Sequence, residues 1–149
     1  MGTKAHGAPL SYRSDDVKVR VTNSGTVTIM VGFAGKATIT ITAKETKKYL
    51  SATKKVTISV KPVAKKVKVD KKKVATVFWT KSTVGMSYEV QIAKKKNFKK
   101  LTKNVKVHEK TITSTAVKGL KAGEYYVRVR LVNGEKSSDW SAAKSFKVK

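Results

Sequence analysis

The sequence predicts an all-β protein composed of two small β-sandwiches in tandem. Three observations support this prediction: apolar and polar residues alternate along most of the chain, β-branched residues are abundant, and a proline-containing stretch divides the two halves. β-Branched side chains suit a pleated surface better than a helix. A chain of 149 residues that is 40% hydrophobic is long enough to bury two small cores.

The first half of the chain shows clear strand signals. Its segments place apolar side chains on one face and polar ones on the other, which is the period of a half-buried strand. The Asn23-Ser24-Gly25 sequence is a turn signal between two of them. No stretch shows an apolar helical stripe. The predicted strands include residues 17–21, 27–29, 37–43 and 56–60.

Pro62 marks the predicted joint between the halves. Proline cannot donate to a strand ladder and favours an extended predecessor, so the preceding strand should end near Val60. We therefore predict a first domain at residues 1–61, a linker at 62–66 and a second domain at 67–149. Seven short strands in the second domain match the count of an immunoglobulin-like sandwich, so the fold class is two tandem immunoglobulin-like β-sandwiches.

The second half resembles a fibronectin type III domain from about residue 63 to residue 149. The resemblance depends on a tryptophan late in the second strand, a Tyr-Glu-Val-Gln-Ile third strand at residues 88–92, and a Leu-x-x-Gly turn into a tyrosine-led strand. Trp140-Ser141 before the last strand is similar to bacterial versions. The resemblance implies a structural core that includes Trp79, Tyr88, Leu120 and Tyr125, with the Tyr125 hydroxyl capping a corner.

The first half is similar to a bacterial immunoglobulin-like domain repeated in surface proteins of Gram-positive gut bacteria. The matching segments are Leu10–Asp16, Ala34–Ile39, Tyr49 and Ala52–Lys54. Such domains begin with a further strand before the Leu-Ser-Tyr segment, so the resemblance implies that the first strand is missing here. A signal peptide and a wall anchor are then expected in flanking sequence.

The chemistry-bearing residues predict no enzyme. The nine acidic residues are mostly isolated, and the adjacent pair Asp15-Asp16 points to opposite faces of an extended segment, which rules out a paired acid and base. There is no cysteine, and the two histidines, His6 and His108, are far apart in sequence, so a zinc site has little support. We predict no catalytic, cofactor-binding or metal-binding residue.

The chain is strongly basic, with 34 Lys and Arg against 9 Asp and Glu and a formal charge of +25. Such a charge attracts polyanions, although lysines on edge strands also keep sheets from pairing with neighbours. Lysine acts as a point charge and lacks the bidentate geometry of arginine, so the ligand is not specified. The candidate polyanion-binding residues are Lys71, Lys72, Lys73, Lys94, Lys95, Lys96, Lys99 and Lys100.

Two loops of the second domain are candidate binding loops, at residues 81–87 and 133–139. Neither contains an Arg-Gly-Asp tripeptide, and plain hairpin turns would also explain them. Trp140 is a candidate for stacking on a sugar. The candidate loop contacts are Thr83, Met86, Glu135, Lys136 and Trp140.

These observations predict a non-catalytic spacer or adhesion module of a larger bacterial cell-surface or secreted protein. Two alternatives stay open: a polyanion-binding module for wall teichoic acid, glycosaminoglycan or nucleic acid, and a carbohydrate-engaging accessory domain of a glycan-degrading enzyme. The expected partners are neighbouring domains of the same polypeptide and anionic polymers or host or cell-wall glycans. We expect no cofactor, a monomer, an extracellular location, and no membrane insertion, because no apolar run approaches about 20 residues.

Overall fold

The computed structural model describes residues 7–149, and this range contains thirteen β-strands and no helix. The first domain has five strands: β1 (Leu10–Ser14), β2 (Val19–Val21), β3 (Val27–Ile29), β4 (Lys36–Ala43) and β5 (Ala52–Ser59). The second domain has eight: β6 (Ala64–Val69), β7 (Ala75–Trp79), β8 (Ser87–Ala93), β9 (Leu101–Val107), β10 (Ser114–Val117), β11 (Gly123–Asn133), β12 (Lys136–Ser137) and β13 (Lys144–Val148).

The first domain is formed by a three-stranded sheet, β1-β4-β5, and a two-stranded hairpin, β2-β3. Its core is small: four buried residues, Val19, Phe33, Ala37 and Ile39, with partly buried apolar neighbours. A groove of about 310 Å³, lined mainly by apolar residues of both sheets, stays open to solvent. The absence of a first strand stays a prediction.

The strand predicted at residues 17–21 begins two residues late. Asp16 turns the chain here, because its backbone oxygen accepts from the amide of Val19 and its Oδ1 accepts from the amide of Lys18. Such aspartate-centred turns compete with ladder formation. Val17 is therefore 86% exposed and does not join Val19 in the core, contrary to the alternation read from the sequence.

The second domain is a complete sandwich of two antiparallel sheets. One sheet has the order β10-β7-β6, and the other has the order β12-β11-β8-β9. β13 pairs with the first residues of β11, on the edge whose other end pairs with β12. Fifteen buried residues form the core between them. The inward positions of β11 alternate strictly, because a strand directs successive side chains to opposite faces. The predicted fold class, all-β with two tandem immunoglobulin-like sandwiches, is confirmed.

The connection between the domains is short and partly covered. β5 ends at Ser59 and β6 begins at Ala64, so the first strand of the second sandwich starts inside the stretch predicted as linker. Pro62 is buried. Val63, which follows Pro62, is held by Thr80. The Thr80 hydroxyl accepts from the Val63 amide, and the Thr80 amide donates to the Val63 carbonyl. The connection is thus bound to the second domain.

The antiparallel topology defines the two ends of the second domain. The loops before β8 and after β11 lie at the end next to the first domain. The turns after β6, β8 and β10 lie at the opposite end, because these strands run away from the joint; Ala75, for example, pairs with both Val69 and Val117 there. We call this opposite end, formed by residues 70–74, 94–100 and 118–122, the distal end.

Candidate functional site

The joint between the domains centres on the loop that follows β3. The Gly32 amide donates to the Val84 carbonyl, and Asn133 Nδ2 donates to the Gly32 carbonyl, both at 2.5 Å. Gly32 adopts φ +85°, in the left-handed region that favours glycine. A Cβ atom here would collide with the Lys18 amine and come within 3.3 Å of Asn133 Nδ2. A side chain at residue 32 would therefore be strained by this backbone conformation and would displace the end of the Lys18 side chain.

Two ion pairs connect the domains at the edge of the joint. Lys136 Nζ lies 3.4 Å from Asp16 Oδ2, and Lys36 Nζ lies 3.2 Å from Asp139 Oδ2. The lysines are exposed, so each pair stabilises the joint by only about 0.2–1 kcal/mol. Their complementary positions fix the orientation of one domain against the other more than they add stability.

Apolar contacts continue from one core to the other. Ile29 at the end of β3 and Val60 after β5 each pack against both hydrophobic clusters. Phe33 and Ala34 in the same loop are buried. The two cores are therefore joined through shared side chains, and their unfolding should be coupled.

The predicted loop contacts border this joint. Lys136 pairs with Asp16, whereas Thr83, Met86 and Glu135 are exposed. Val84 and Asn133 also hydrogen-bond to the first domain; both lie in the predicted binding loops, at residues 81–87 and 133–139, but neither is among the predicted contacts. No local signal marks them, because their role depends on how the two domains meet.

Trp140 lies in a stack of aromatic and arginine side chains on the outer face of the larger sheet. The guanidinium groups of Arg128 and Arg130 lie over its ring, with Cζ atoms 4.3 and 4.5 Å from the ring centroid. Arg128 also lies 4.2 Å from the Phe98 ring centroid. Arg128 and Arg130 alternate with buried residues on β11, which directs both to this face. We call Phe98, Arg128, Trp140 and Arg130 the arginine stack.

Ser138 and Ser141 hold the segment that carries Trp140 against β11. The Ser138 hydroxyl accepts from the Leu131 amide and the Ser141 hydroxyl from the Val129 amide, both at 3.0 Å. The serine amides in turn donate to the carbonyls of the same two residues. The two serine hydroxyls thus continue the hydrogen-bond ladder of β11 along a segment that is not a regular strand. This holds the indole of Trp140 over the sheet.

Glu89 is the charged partner of the arginine stack. Its Oε2 lies 2.6 Å from Arg130 Nη2, and its side chain is 8% exposed. Partial burial raises the pKa of Glu89, but hydrogen bonds from Arg130 and Asn104 and the nearby positive charges outweigh it, so the pKa is lower than usual. Arg128 donates twice to Gln91 Oε1, at 2.9 and 2.7 Å. Burial, followed by the charge of Arg130, lowers the pKa of Arg128.

Replacing Arg130 by methionine is expected to lower the stability of the second domain by about 1–3 kcal/mol at pH 7, less than for a fully buried pair because Arg130 is partly exposed. Since the folded pKa of Glu89 is depressed, its contribution is present above the unfolded pKa and is lost as pH falls through the folded value. Without Arg130, burial should raise that pKa. The stability difference between wild type and variant should therefore start to shrink above the usual pKa of glutamate, about 4.3, and be smallest once the pH is below the folded pKa of wild-type Glu89, which urea unfolding across pH would show.

Arg20→Met is the matched control for that experiment, because Arg20 is exposed and takes part in none of the ion pairs that the structure describes. It removes the same charge and should change stability by less than about 0.5 kcal/mol. A penalty for Arg130→Met that does not vary with pH would contradict the role assigned to Glu89.

The four residues assigned to the structural core lie inside the second domain. Trp79, Tyr88, Leu120 and Tyr125 are all at most 4% exposed. The Tyr125 hydroxyl donates to the Lys121 carbonyl at 2.9 Å, which is the corner contact implied by the resemblance. The Tyr88 hydroxyl accepts from the Ser82 amide and donates to the carbonyl of Lys110.

The candidate polyanion-binding residues all lie at the distal end. Asp70 orders the first of its turns, accepting through Oδ1 from the amides of Lys72 and Val74. The turn between β8 and β9 encloses a concavity of about 630 Å³. The concavity is lined by Lys94, Lys95, Asn97, Lys99, Lys100, Leu101 and Thr102.

Within residues 7–149, no group of three or more His, Asp or Glu side chains could hold a metal ion. Asp15 and Asp16 instead accept from backbone amides, of Thr38 and Lys18 respectively. His6 lies outside the described residues. The same range contains no helix long and apolar enough to cross a membrane.

Comparisons with known proteins identify no relative by sequence. No protein-family model matches the chain, and neither does any curated protein. Among solved structures, a two fibronectin type-III domain segment from chicken tenascin is similar, with 20% identity and a TM-score of 0.49 over 93% of this chain and 82% of that one. The fold assignment rests on the strand order and register described above, which define a tandem of immunoglobulin-like sandwiches.

Proposed function

We propose that this chain is a non-catalytic spacer or adhesion module of a larger protein that is secreted or held at a bacterial cell surface. The observation that carries the proposal is the joint, which links the two domains through backbone hydrogen bonds, ion pairs and shared apolar side chains. A tandem with a fixed joint holds whatever it carries at a defined distance and orientation. A freely hinged pair would not.

The path of the chain suits this role. Leu10 pairs with Ala43 at the end of the first domain that is remote from Lys36 and the joint, and Val148 pairs with Gly123 at the distal end of the second. The chain therefore enters and leaves at ends far from the joint. The longest strands, of 8 and 11 residues, correspond to about 26 and 36 Å at about 3.3 Å per residue.

Spin-label distance measurements test the fixed joint directly. The chain has no cysteine, so Lys47→Cys and Lys121→Cys, both exposed and in different domains, give a specific label pair. We expect a single narrow distance distribution for the wild-type background. Adding Asn133→Ala with Asp16→Asn should broaden it, because this removes one joint hydrogen bond and one ion pair while keeping the capping oxygen of residue 16.

Asn23→Ala, in an exposed turn of the first domain, is the control and should leave the distribution unchanged. A broad distribution in the wild-type background would overturn the spacer proposal, since it would show that the domains reorient freely.

The carbohydrate-engaging alternative receives less support. Sugar stacking needs an accessible aromatic face, but the guanidinium groups of Arg128 and Arg130 lie over the ring of Trp140. Phe98, at the other end of the arginine stack, is buried. The stack orders the outer face of the sheet and leaves little ring surface for a sugar.

A further inference from the structure

The distal end of the second domain concentrates positive charge that the sequence distributes over 50 positions. Its three turns contain ten lysines and a single acidic residue, Asp70. The Oδ1 atom of Asp70 is already used by two backbone amides of its own turn. The lysines are Lys71, Lys72, Lys73, Lys94, Lys95, Lys96, Lys99, Lys100, Lys118 and Lys121.

The fold places these turns side by side. The turns at 70–74 and 118–122 leave adjacent strands, since Ala75 pairs with Val117. The turn at 118–122 is tied to the larger sheet through the hydrogen bond from the Tyr125 hydroxyl. It also approaches β9, because a Cβ atom on Gly119 would lie 3.6 Å from Lys103 Nζ. The ten lysines therefore lie at one end of the second domain.

These charges are not compensated within the protein. Three ion pairs occur among residues 7–149, and none includes a lysine of the distal end. All ten lysines are exposed. Charges that are closer together than the Debye length of about 8 Å at physiological salt repel one another. A ligand that carries closely spaced negative charges would relieve that repulsion and release its counterions on binding.

The concavity in the second turn limits the class of ligand. Four lysines line it, but its hydrogen-bonding groups are few: Thr102 and Asn97, whose Oδ1 already accepts from the Lys99 amide. Phe98 is buried beneath the turn, so no aromatic ring there is free to stack on a base or a sugar. The walls of the concavity are largely apolar, so it offers a ligand mainly the charge of its four lysine ammonium groups and few partners for rings or hydroxyl groups.

We infer that the distal end binds a flexible polyol phosphate chain, a linear polymer of phosphodiesters joined by small alcohols. Each phosphodiester supplies one negative charge for a lysine ammonium, which binds phosphate as a point charge. The concavity of about 630 Å³ admits the narrow chain, and the turns at 70–74 and 118–122 extend the contact beyond it. The inference goes beyond the spacer proposal and does not depend on it.

Titration of the full chain with poly(glycerol phosphate) tests the inference. For about six phosphate contacts on a flexible chain, the logarithm of the binding constant should fall with the logarithm of salt concentration at a slope near −4. The fourfold variant Lys94→Gln, Lys95→Gln, Lys99→Gln and Lys100→Gln should weaken binding at 0.15 M salt at least about 10-fold and make the slope shallower by about 3.

The matched control replaces four exposed lysines of the first domain, Lys47→Gln, Lys48→Gln, Lys54→Gln and Lys55→Gln, and removes the same charge. It should change affinity less than about 2-fold at this salt concentration, where Debye screening limits long-range effects. Equal losses in the two variants would overturn the site, since they would show that only net charge matters. An oligothymidylate or heparin fragment of equal charge that binds as tightly as poly(glycerol phosphate) would overturn the ligand class.

Discussion

Replacing Trp79 by alanine is expected to lower the free energy of unfolding of the second domain by about 3–5 kcal/mol. The side chain is 2% exposed and belongs to the main core, with its ring centroid 5.2 Å from that of Tyr88. Removing it leaves a large cavity that the surrounding sheets, held by their ladders, cannot close. Urea unfolding monitored by the fluorescence of Trp140 measures the loss.

Trp79→Phe is the informative companion variant. The buried Nε1–H of Trp79 has no hydrogen-bond partner among residues 7–149, and such an unpaired donor costs about 1–3 kcal/mol. Phenylalanine removes that donor and keeps most of the ring contact with Tyr88. We expect a loss of about 1–2 kcal/mol, clearly smaller than for alanine. Equal losses for both variants would show that the indole shape, or an unseen partner of its N–H, matters more than burial alone.

Much of the fold follows from local pattern. The alternation around Tyr125, Val127 and Val129 fixes which face of β11 is buried, because a strand has a period of two. Turn residues such as Asp70 and Pro62 lie near the ends of strands, as their backbone preferences require. Val17 departs from the pattern because the Asp16 turn takes precedence over alternation at the start of β2.

The joint and the arginine stack could not be predicted from the same signals. Gly32 contacts Val84 and Asn133 across 52 and 101 sequence positions, and no periodicity encodes such a contact. The stack requires Trp140 to return from an irregular segment onto β11, which depends on the two serine hydroxyls. Most of the lysines of the distal end could be predicted as binding residues from the sequence, but their clustering could not, because it follows from the antiparallel order of the strands.

The change Ile29→Asp is expected to separate the unfolding of the two domains. Ile29 packs against both cores, so a carboxylate there loses apolar contact on both sides and is placed among apolar neighbours. We expect the first domain to lose about 2–4 kcal/mol. That loss is large for the first domain, because its core has only four buried residues, whereas the core of the second domain has fifteen. The second domain should be affected much less, because its own core stays complete.

Two probes resolve this effect, because both tryptophans, Trp79 and Trp140, lie in the second domain. Tryptophan fluorescence therefore follows the second domain, whereas circular dichroism follows both. In the wild type the two urea transitions should coincide, as expected for coupled domains. In Ile29→Asp the circular dichroism should begin to change at lower urea than the fluorescence.

Thr28→Asp is the matched control, since Thr28 lies on the same strand, is exposed and belongs to neither core cluster. It introduces the same charge and should leave the two transitions together. Transitions that already separate in the wild type would mean that the shared contacts of Ile29 and Val60 do not couple the domains, and the fixed joint would lose its energetic basis. Coincidence in Ile29→Asp would place the coupling in the other links between the two sandwiches, which are the shared contacts of Val60 and the hydrogen bonds of Gly32.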